Sequence, residues 1–431
     1  MRYLIHWTLA GLFSALAAAP PAPPLEGALS RTQARATALI NHPDISVAEL
    51  RELAARQVNL QARSAYFPTV TANTTAAGTT QENTRLAAGA INNPSVYERV
   101  AEGVSVTLLI TDFGRTANLA AASLLRANAE ATNAAATRAQ IEMLVDTSYF
   151  SALEAQAVLK VATQTVATRT IILDQVRAYA SNHLKSDLDV GFADVGLGEA
   201  QLLLARAKGE FDASMEQLNT QLGLRDRPQF VLVDEPLPPA LDTGVETLVA
   251  EALQRRPDLA RVRLERMAAL KFSRAEKALR YPTVTAIGGA GLIPVHGDAF
   301  ENSYAAAAVN ISLPIFNGGL FAARNREAEL RAQAVEEGLR RDENAVVRDV
   351  RISWTRVGSA WDRFGIATKL LDQASKTLDL TEARYQAGSA SIVELSQSQL
   401  NKTSAEISLE NAKYDYLIQR AILEFQTGGD R

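Results

Sequence analysis

From Val346 to Leu378, low-polarity side chains recur at spacings of four and three: Val346, Val350, Ser353, Val357, Ala360, Phe364, Ala367, Leu371, Ala374 and Leu378. Large and small residues alternate along this line. A stripe this narrow is the seam of a coiled coil, not the broader face of a helix set in a globular core. It lies within a proline-free stretch from Gly319 to Gly388, which predicts one very long helix over 319–386. The same seam appears 205 residues earlier as Ile141, Val145, Ser148, Ala152, Ala155, Leu159, Ala162, Val166 and Leu173; only Arg169, opposite Ala374, breaks it. The chain reads as a tandem repeat.

The rest of the pattern repeats as well. Ser30 with Gln33 has the spacing of a capping box and predicts a helix to about Ser64, bent or restarted at Pro43; Thr243 with Glu246 opens the second copy in the same way. Pro43-Asp44 returns as Pro257-Asp258, and Phe67-Pro68-Thr69-Val70 as Tyr281-Pro282-Thr283-Val284, both 214 residues on. Two short alternating segments follow in each copy, 69–77 with 104–110 and 283–287 with 309–315. Val309, Ile311 and Leu313 alternate with Asn310, Ser312 and Pro314, the period of a strand with one apolar face. The polar, glycine-rich stretches between these strands read as exposed loops, the first nine residues longer than the second.

The expected organisation is a signal peptide at 1–19, a proline-rich lead at 20–28, repeat 1 over 29–223, a linker at 224–246 and repeat 2 over 247–427. Each repeat runs helix, strand pair, long helix (115–181 and 319–386) and returning helix (186–223 and 391–426). A 67-residue helix spans roughly 100 Å. The first returning helix is about half as long as its partner, and the opening helix of repeat 2 is expected to stack on its end.

Composition narrows the class. The 431 residues hold 15 prolines, none between Pro94 and Pro228 or after Pro314, so the fold class is mainly α. A net charge of -4, with both signs mixed along the helices, leaves no basic footprint for nucleic acid. The absence of cysteine removes disulfides, thiolate metal sites and a lipid-modified cysteine anchor. Arg2, an apolar run and small residues at Ala17 and Ala19 have the form of a secretory signal. No later apolar run reaches the roughly 18 residues of a spanning helix, so a membrane role would fall to strands. Four strands cannot close a barrel in lipid, where about eight is the smallest closed form, whereas three copies would pool twelve. The alternative is a small soluble sheet packed on the helices.

Candidate chemistry is sparse. Asp112-Phe113-Gly114 spells a kinase triplet, but the other kinase elements are missing, and its counterpart is Asn317-Gly318-Gly319. Both read as strand-to-helix junctions in which glycine permits the turn and Asp or Asn caps the helix. His42, His183 and His296 stand far apart, and no catalytic, cofactor or metal constellation appears, so no enzyme and no cofactor are expected. The sharper feature is at the two helical turns, Asn182-His183-Leu184 and Ala387-Gly388-Ser389, each followed by Ser-x-x-acid: Ser186 with Asp189, and Ser391 with Glu394. Helix capping explains these acids by itself. If copies ring a channel, the same acids and Tyr385 sit at its narrow end, where charged rings select ions and paired groups latch an opening.

With Asn41-His42-Pro43-Asp44-Ile45, Phe67-Pro68-Thr69-Val70-Thr71, the run from Val309 to Gly319 and the run from Arg384 to Leu395, the mature chain resembles the TolC-like outer membrane efflux proteins. The resemblance implies a homotrimer with a twelve-stranded outer-membrane barrel continuing into a periplasmic coiled-coil tunnel. It further implies an exit duct of a tripartite efflux pump or type I secretion system. A periplasmic adaptor (membrane fusion) protein would dock at the turns, and an inner-membrane transporter would supply cargo. In this comparison Tyr385 and Asp189 match the residues that latch neighbouring coils, and Glu394 matches the first lumenal aspartate of the entrance. Ala390 stands where the latch arginine is expected, Gln397 where the second lumenal aspartate is, and His183 where glycine is usual. The latch and its acidic ring are therefore expected to be weaker. The competing reading is a soluble periplasmic coiled-coil adaptor or scaffold.

Overall fold

The computed structural model describes residues 27–78, 84–88, 91–96, 99–226, 230–296 and 301–429. The expected signal peptide at 1–19 and most of the proline-rich lead lie outside them. In chain order the elements are β1 (Gly27–Leu29), α1 (Arg31–Asn41), α2 (Pro43–Ser64), β2 (Thr69–Ala77), β3 (Thr84–Ala88), β4 (Ile91–Val96), β5 (Arg99–Thr111), α3 (Arg115–Ser181) and α4 (Asp187–Gln221). The second copy follows with β6 (Phe230–Leu232), α5 (Val245–Arg255), α6 (Pro257–Lys277), β7 (Thr283–His296), β8 (Ser303–Ser312), α7 (Leu320–Gln386) and α8 (Ile392–Gln426).

Local chemistry sets the helix ends. Ser30 Oγ accepts from Gln33 N at 3.3 Å and Gln33 Oε1 accepts from Ser30 N at 2.9 Å, which starts α1 with a complete capping box. His42 adopts an extended conformation ahead of Pro43, so α1 ends and α2 begins there. The second copy departs from expectation. Gly244, not Thr243, occupies the N-cap of α5 and makes no side-chain cap. Glu246 therefore falls one position short of the reciprocal bond and pairs instead with Arg351 at 3.0 Å.

The seams are buried in part, with Ser148, Ala155, Leu159 and Val166 of α3 and Phe364, Leu371, Ala374 and Leu378 of α7 half-buried. Val346, Val350, Val357 and Ala360 of α7 and Ile141, Val145, Ala152 and Ala162 of α3 are all buried. Helix α3 packs on α4 and α8 toward the turn and, ahead of its seam, on α2 and α6 toward the sheet; α7 packs on α8 and on α5 and α6. The stacking differs from the expected one. Gly223, just past α4 at φ +71°, lies so close to the α1–α2 break that an added Cβ would meet Asn41 O at 2.6 Å. Gly428, past α8 at φ +94°, lies against the α5–α6 break, where an added Cβ would meet Arg255 Cβ at 3.0 Å and Arg256 N at 3.1 Å. Each returning helix thus ends on the opening helices of its own repeat, because a left-handed glycine both terminates it and admits the close approach.

A collar surrounds this level. Strands β1 and β6 pair in parallel, and the buried Tyr149 hydroxyl lies 2.8 Å from Leu29 O and 2.6 Å from Val233 O, tying α3 to both. Asp146, 1% exposed, is held by the Arg35 guanidinium (Nε to Oδ1 2.8 Å) and by Arg31 at 3.8 Å.

The sheet is antiparallel, in the order β2-β5-β7-β8, and β3 with β4 forms a separate hairpin. Its strands are longer than the alternation predicts. Strand β5 begins at Arg99 rather than 104, β7 runs to His296 rather than 287, and β8 spans Ser303–Ser312 rather than 309–315. Residues 99–103, 288–296 and 303–308, expected as exposed loop, therefore belong to the ladder. Pro314, which has no N–H to give, follows the end of β8, and Leu313 and Ile315 leave the sheet. Register places Thr69, Thr71, Ser105, Thr107, Thr285, Asn310 and Ser312 on one face and Val70, Val104, Val106, Val284, Val309 and Ile311 on the other. Thr74, Glu102 and Ser303 in one row, and Thr111 opposite Val284, are polar exceptions on the apolar face, and Leu109 and Ile287 are apolar exceptions on the polar face.

Candidate tunnel entrance at the helical turns

At the end of the molecule away from the sheet, α3 turns into α4 and α7 into α8. Both turns close by the same backbone bonds. Leu184 N donates to Tyr179 O at 2.9 Å and His183 N to Ala180 O at 2.9 Å; Ser389 N donates to Arg384 O at 2.8 Å and Gly388 N to Tyr385 O at 3.1 Å. This is the Schellman arrangement, whose pivot residue must be left-handed. His183 (φ 60°) and Gly388 (φ 74°) fill that position, and only the glycine does so without steric cost. Asn182 Nδ2 donates to Ala178 O at 2.7 Å, Leu184 is exposed at the tip, and Ser389 Oγ donates to Arg384 O at 3.1 Å beside Ala387.

The two acids behave differently. Asp189 completes a capping box on α4, its Oδ2 accepting from Ser186 N at 3.0 Å and from Ser186 Oγ at 2.9 Å. Glu394 gives its backbone N–H to Ser391 Oγ at 3.2 Å, while its carboxylate turns to Arg384, 4.0 Å away. Arg384 also donates to Ser389 O at 3.0 Å, a cation placed on the negative end of α7.

Tyr385 is 5% exposed in an apolar cluster with Leu173 and Val176 of α3, Ala193 of α4, and Ile392 and Leu395 of α8. One side chain thus joins both hairpins. Lys185 Nζ sits 4.2 Å from the centre of its ring, a cation–π contact. Burial first, then the negative charge of Asp189, hold the hydroxyl above its usual pKa. That hydroxyl makes no hydrogen bond, so Asp189 and Tyr385 are brought near one another without the bond a latch would use.

The expected junction residues lie at the opposite end of the long helices. Gly114 (φ +90°) and Gly319 (φ +83°) are the N-caps of α3 and α7, and Gly318 is also left-handed. Neither helix is capped by the side chain at its N-cap. Asp112 caps from two residues upstream, its Oδ2 accepting from Thr116 N at 2.7 Å, whereas Asn317 offers its backbone carbonyl to Leu320 N at 3.2 Å.

Three residues toward the helical turns were not singled out as functional from sequence: Lys185, Arg384 and Arg169. Arg169, 7% exposed on α3, lies over Gly196 of α4 and donates to Ser396 and Gln399 of α8. Its interruption of the seam was the visible signal. Among the described residues no three His, Cys, Asp or Glu side chains gather as a metal set, and no helix is long and apolar enough to cross a membrane.

The molecule can be placed against known proteins on this geometry. The family model described as "Outer membrane efflux protein" matches residues 34–224 and 248–429, one segment for each repeat. Outer membrane protein TolC of Escherichia coli K12 is 25% identical over 305 residues, covering 65% of this chain and 60% of that protein. TolC of Salmonella enteritidis is 23% identical over 238 residues, covering 52% of this chain and 45% of that one. The matched region thus spans about half the length of these two relatives. The crystal structure of the outer membrane protein VceC from Vibrio cholerae superposes with a TM-score of 0.79 at 18% identity, covering 93% of this chain and 96% of that one. With both repeats matched and the whole fold shared, the chain belongs to the outer membrane efflux protein family.

Proposed function

We propose that the protein is a passive exit duct of the outer membrane, acting as a homotrimer with no chemistry of its own. The observation that carries this reading is the sheet, an open four-stranded unit with one apolar face, one polar face and two unpaired edges, β2 and β8. An open edge in lipid leaves backbone groups without partners. Joining β8 of one copy to β2 of the next removes every edge and closes twelve strands, with the apolar face toward lipid. The long helices then continue as a periplasmic tunnel, and the turns form its inner end.

In this reading cargo arrives from an inner-membrane transporter through a periplasmic adaptor that docks around Asn182, His183, Leu184, Ala387, Gly388 and Ser389. Tyr385 holds the two hairpins together at the entrance, and Asp189 and Glu394 supply its negative charge. An exposed apolar strand face and family membership both weigh against a soluble adaptor or scaffold. The test is the mass of the detergent-extracted outer-membrane particle, with the detergent subtracted. Three copies are expected; a monomer in the soluble periplasmic fraction would overturn the reading.

A further inference from the structure

Four directly opposed residues form one row across the sheet: Asn73 of β2, Gly103 of β5, Gly291 of β7 and Tyr304 of β8. The row lies on the polar face. Tyr304 is the one Phe, Trp or Tyr in these four strands, and its ring does not stand away from the sheet. It lies along it, over both glycines. A Cβ added to Gly291 would come within 2.7 Å of Tyr304 Cε1 and Oη, and one added to Gly103 within 2.2 Å of Oη and 3.1 Å of Cζ. Any side chain at Gly103 must displace the phenol. An aromatic ring laid over glycine shields backbone that has no side chain of its own and pins cross-strand register.

We propose that the Gly103–Gly291 recess makes Tyr304 a bore-setting residue: it keeps a large side chain flat on the inner wall, so that bulky solutes pass it. The inference rests on the duct reading above, in which the polar face lines the lumen. Tyr304 is the second residue of β8, next to the β7–β8 connection and at the end of the sheet remote from the helices. Three phenols would therefore ring the outer part of the duct. The next row on this face toward the helices holds only small side chains, Thr71, Ser105, Gly289 and Ala306. A raised phenol would consequently be the narrowest feature at its level, and pore diameter is what such a wall selects on.

The test is single-channel conductance of the full-length trimer in planar bilayers, with polyethylene glycols of graded size as the bore gauge. Gly103→Ala is expected to lower conductance by roughly one third or more and to shrink the largest polymer admitted. Gly103→Ala combined with Tyr304→Ala should restore both values. Unchanged conductance in Gly103→Ala, or a loss that persists without Tyr304, overturns the proposal. Should Gly103→Ala fail to assemble, Tyr304→Ala alone decides: a flat ring leaves conductance close to wild type, and a rise of about twofold or more means that the ring already stands in the lumen. Wild-type protein that forms no channel would sink the duct reading itself; wild-type currents with no response to these variants sink this inference alone.

Discussion

Arg169 of α3 donates to Gln399 of α8, so a buried cation fixed by a neutral amide links the two coiled hairpins of the chain. Burial lowers the arginine's pKa, and Glu199 partly opposes this. Removing the amide leaves the buried charge with only its longer bonds to Ser396, at 3.3 and 3.4 Å, whereas removing the charge returns the seam to the apolar pattern of its counterpart, Ala374. Gln399→Ala should destabilise by about 1.5–3 kcal/mol, and Arg169→Leu should be nearly neutral. Thermal unfolding of the detergent-solubilised protein checks this; a larger loss in Arg169→Leu would show that the brace contributes net stability.

His183 holds a left-handed conformation that Gly388 adopts freely in the other turn. His183→Gly should stabilise the first turn by about 0.5–1 kcal/mol, the steric relief being offset in part by a looser unfolded chain. Slower hydrogen exchange at Leu184 is the expected signature, and faster exchange would mean that the imidazole contributes contacts of its own.

At the proposed entrance, the Tyr385 hydroxyl has no partner to lose, while Asp189 anchors the start of α4. Of the pair, Asp189→Ala should raise single-channel conductance by loosening the turn, at a cost of about 1 kcal/mol in the lost cap. Tyr385→Phe alone should leave the current unchanged. Increased current in Tyr385→Phe would mean that the hydroxyl is bonded in the assembled channel.

Register separates Val309 and Ile311 from Asn310. Arginine at either apolar position should prevent membrane assembly, at about 2–4 kcal/mol each near the bilayer midplane, and arginine at Asn310 should be tolerated. Heat-resistant trimer on gels is a direct readout, and equal tolerance at all three would reverse the assignment of faces.

Glu154 on α3 has its pKa pushed up to about 6, first by burial and then by Asp415. The folded state therefore holds this proton more tightly than the unfolded chain, so its contribution falls as pH rises from about 4.5 through 6 and is level above that. Glu154→Gln should raise the thermal midpoint at pH 7 and leave it little changed at pH 4.5. A constant difference across that range would exclude titration at this site.

The repeats, the seams and the helical turns were legible in the sequence because each rests on spacing along a single element. What was not legible depends on pairing. Gly288 to Leu292 and Tyr304 to Ala308 lack the β-branched alternation that marks a strand, and only the ladder opposite them makes them one. Thr243 with Glu246 has capping-box spacing, yet Gly244 takes the cap. Asp189 was legible for the reason that also explains it structurally, as a first-turn cap, whereas Glu394 has the same spacing yet turns its carboxylate to Arg384, and the missing Tyr385–Asp189 bond depends on how four helices pack.

The contacts of Gly223 with Asn41 and of Gly428 with Arg255 also bear on how the inner end could move. Each 35-residue returning helix is a lever of roughly 50 Å whose fulcrum is a bare backbone surface within its own repeat. A tilt of about 5° at that fulcrum would carry the tip by roughly 4–5 Å. The inner end could then dilate by swinging one arm at a time, with the collar of Tyr149 and Asp146 as the fixed frame.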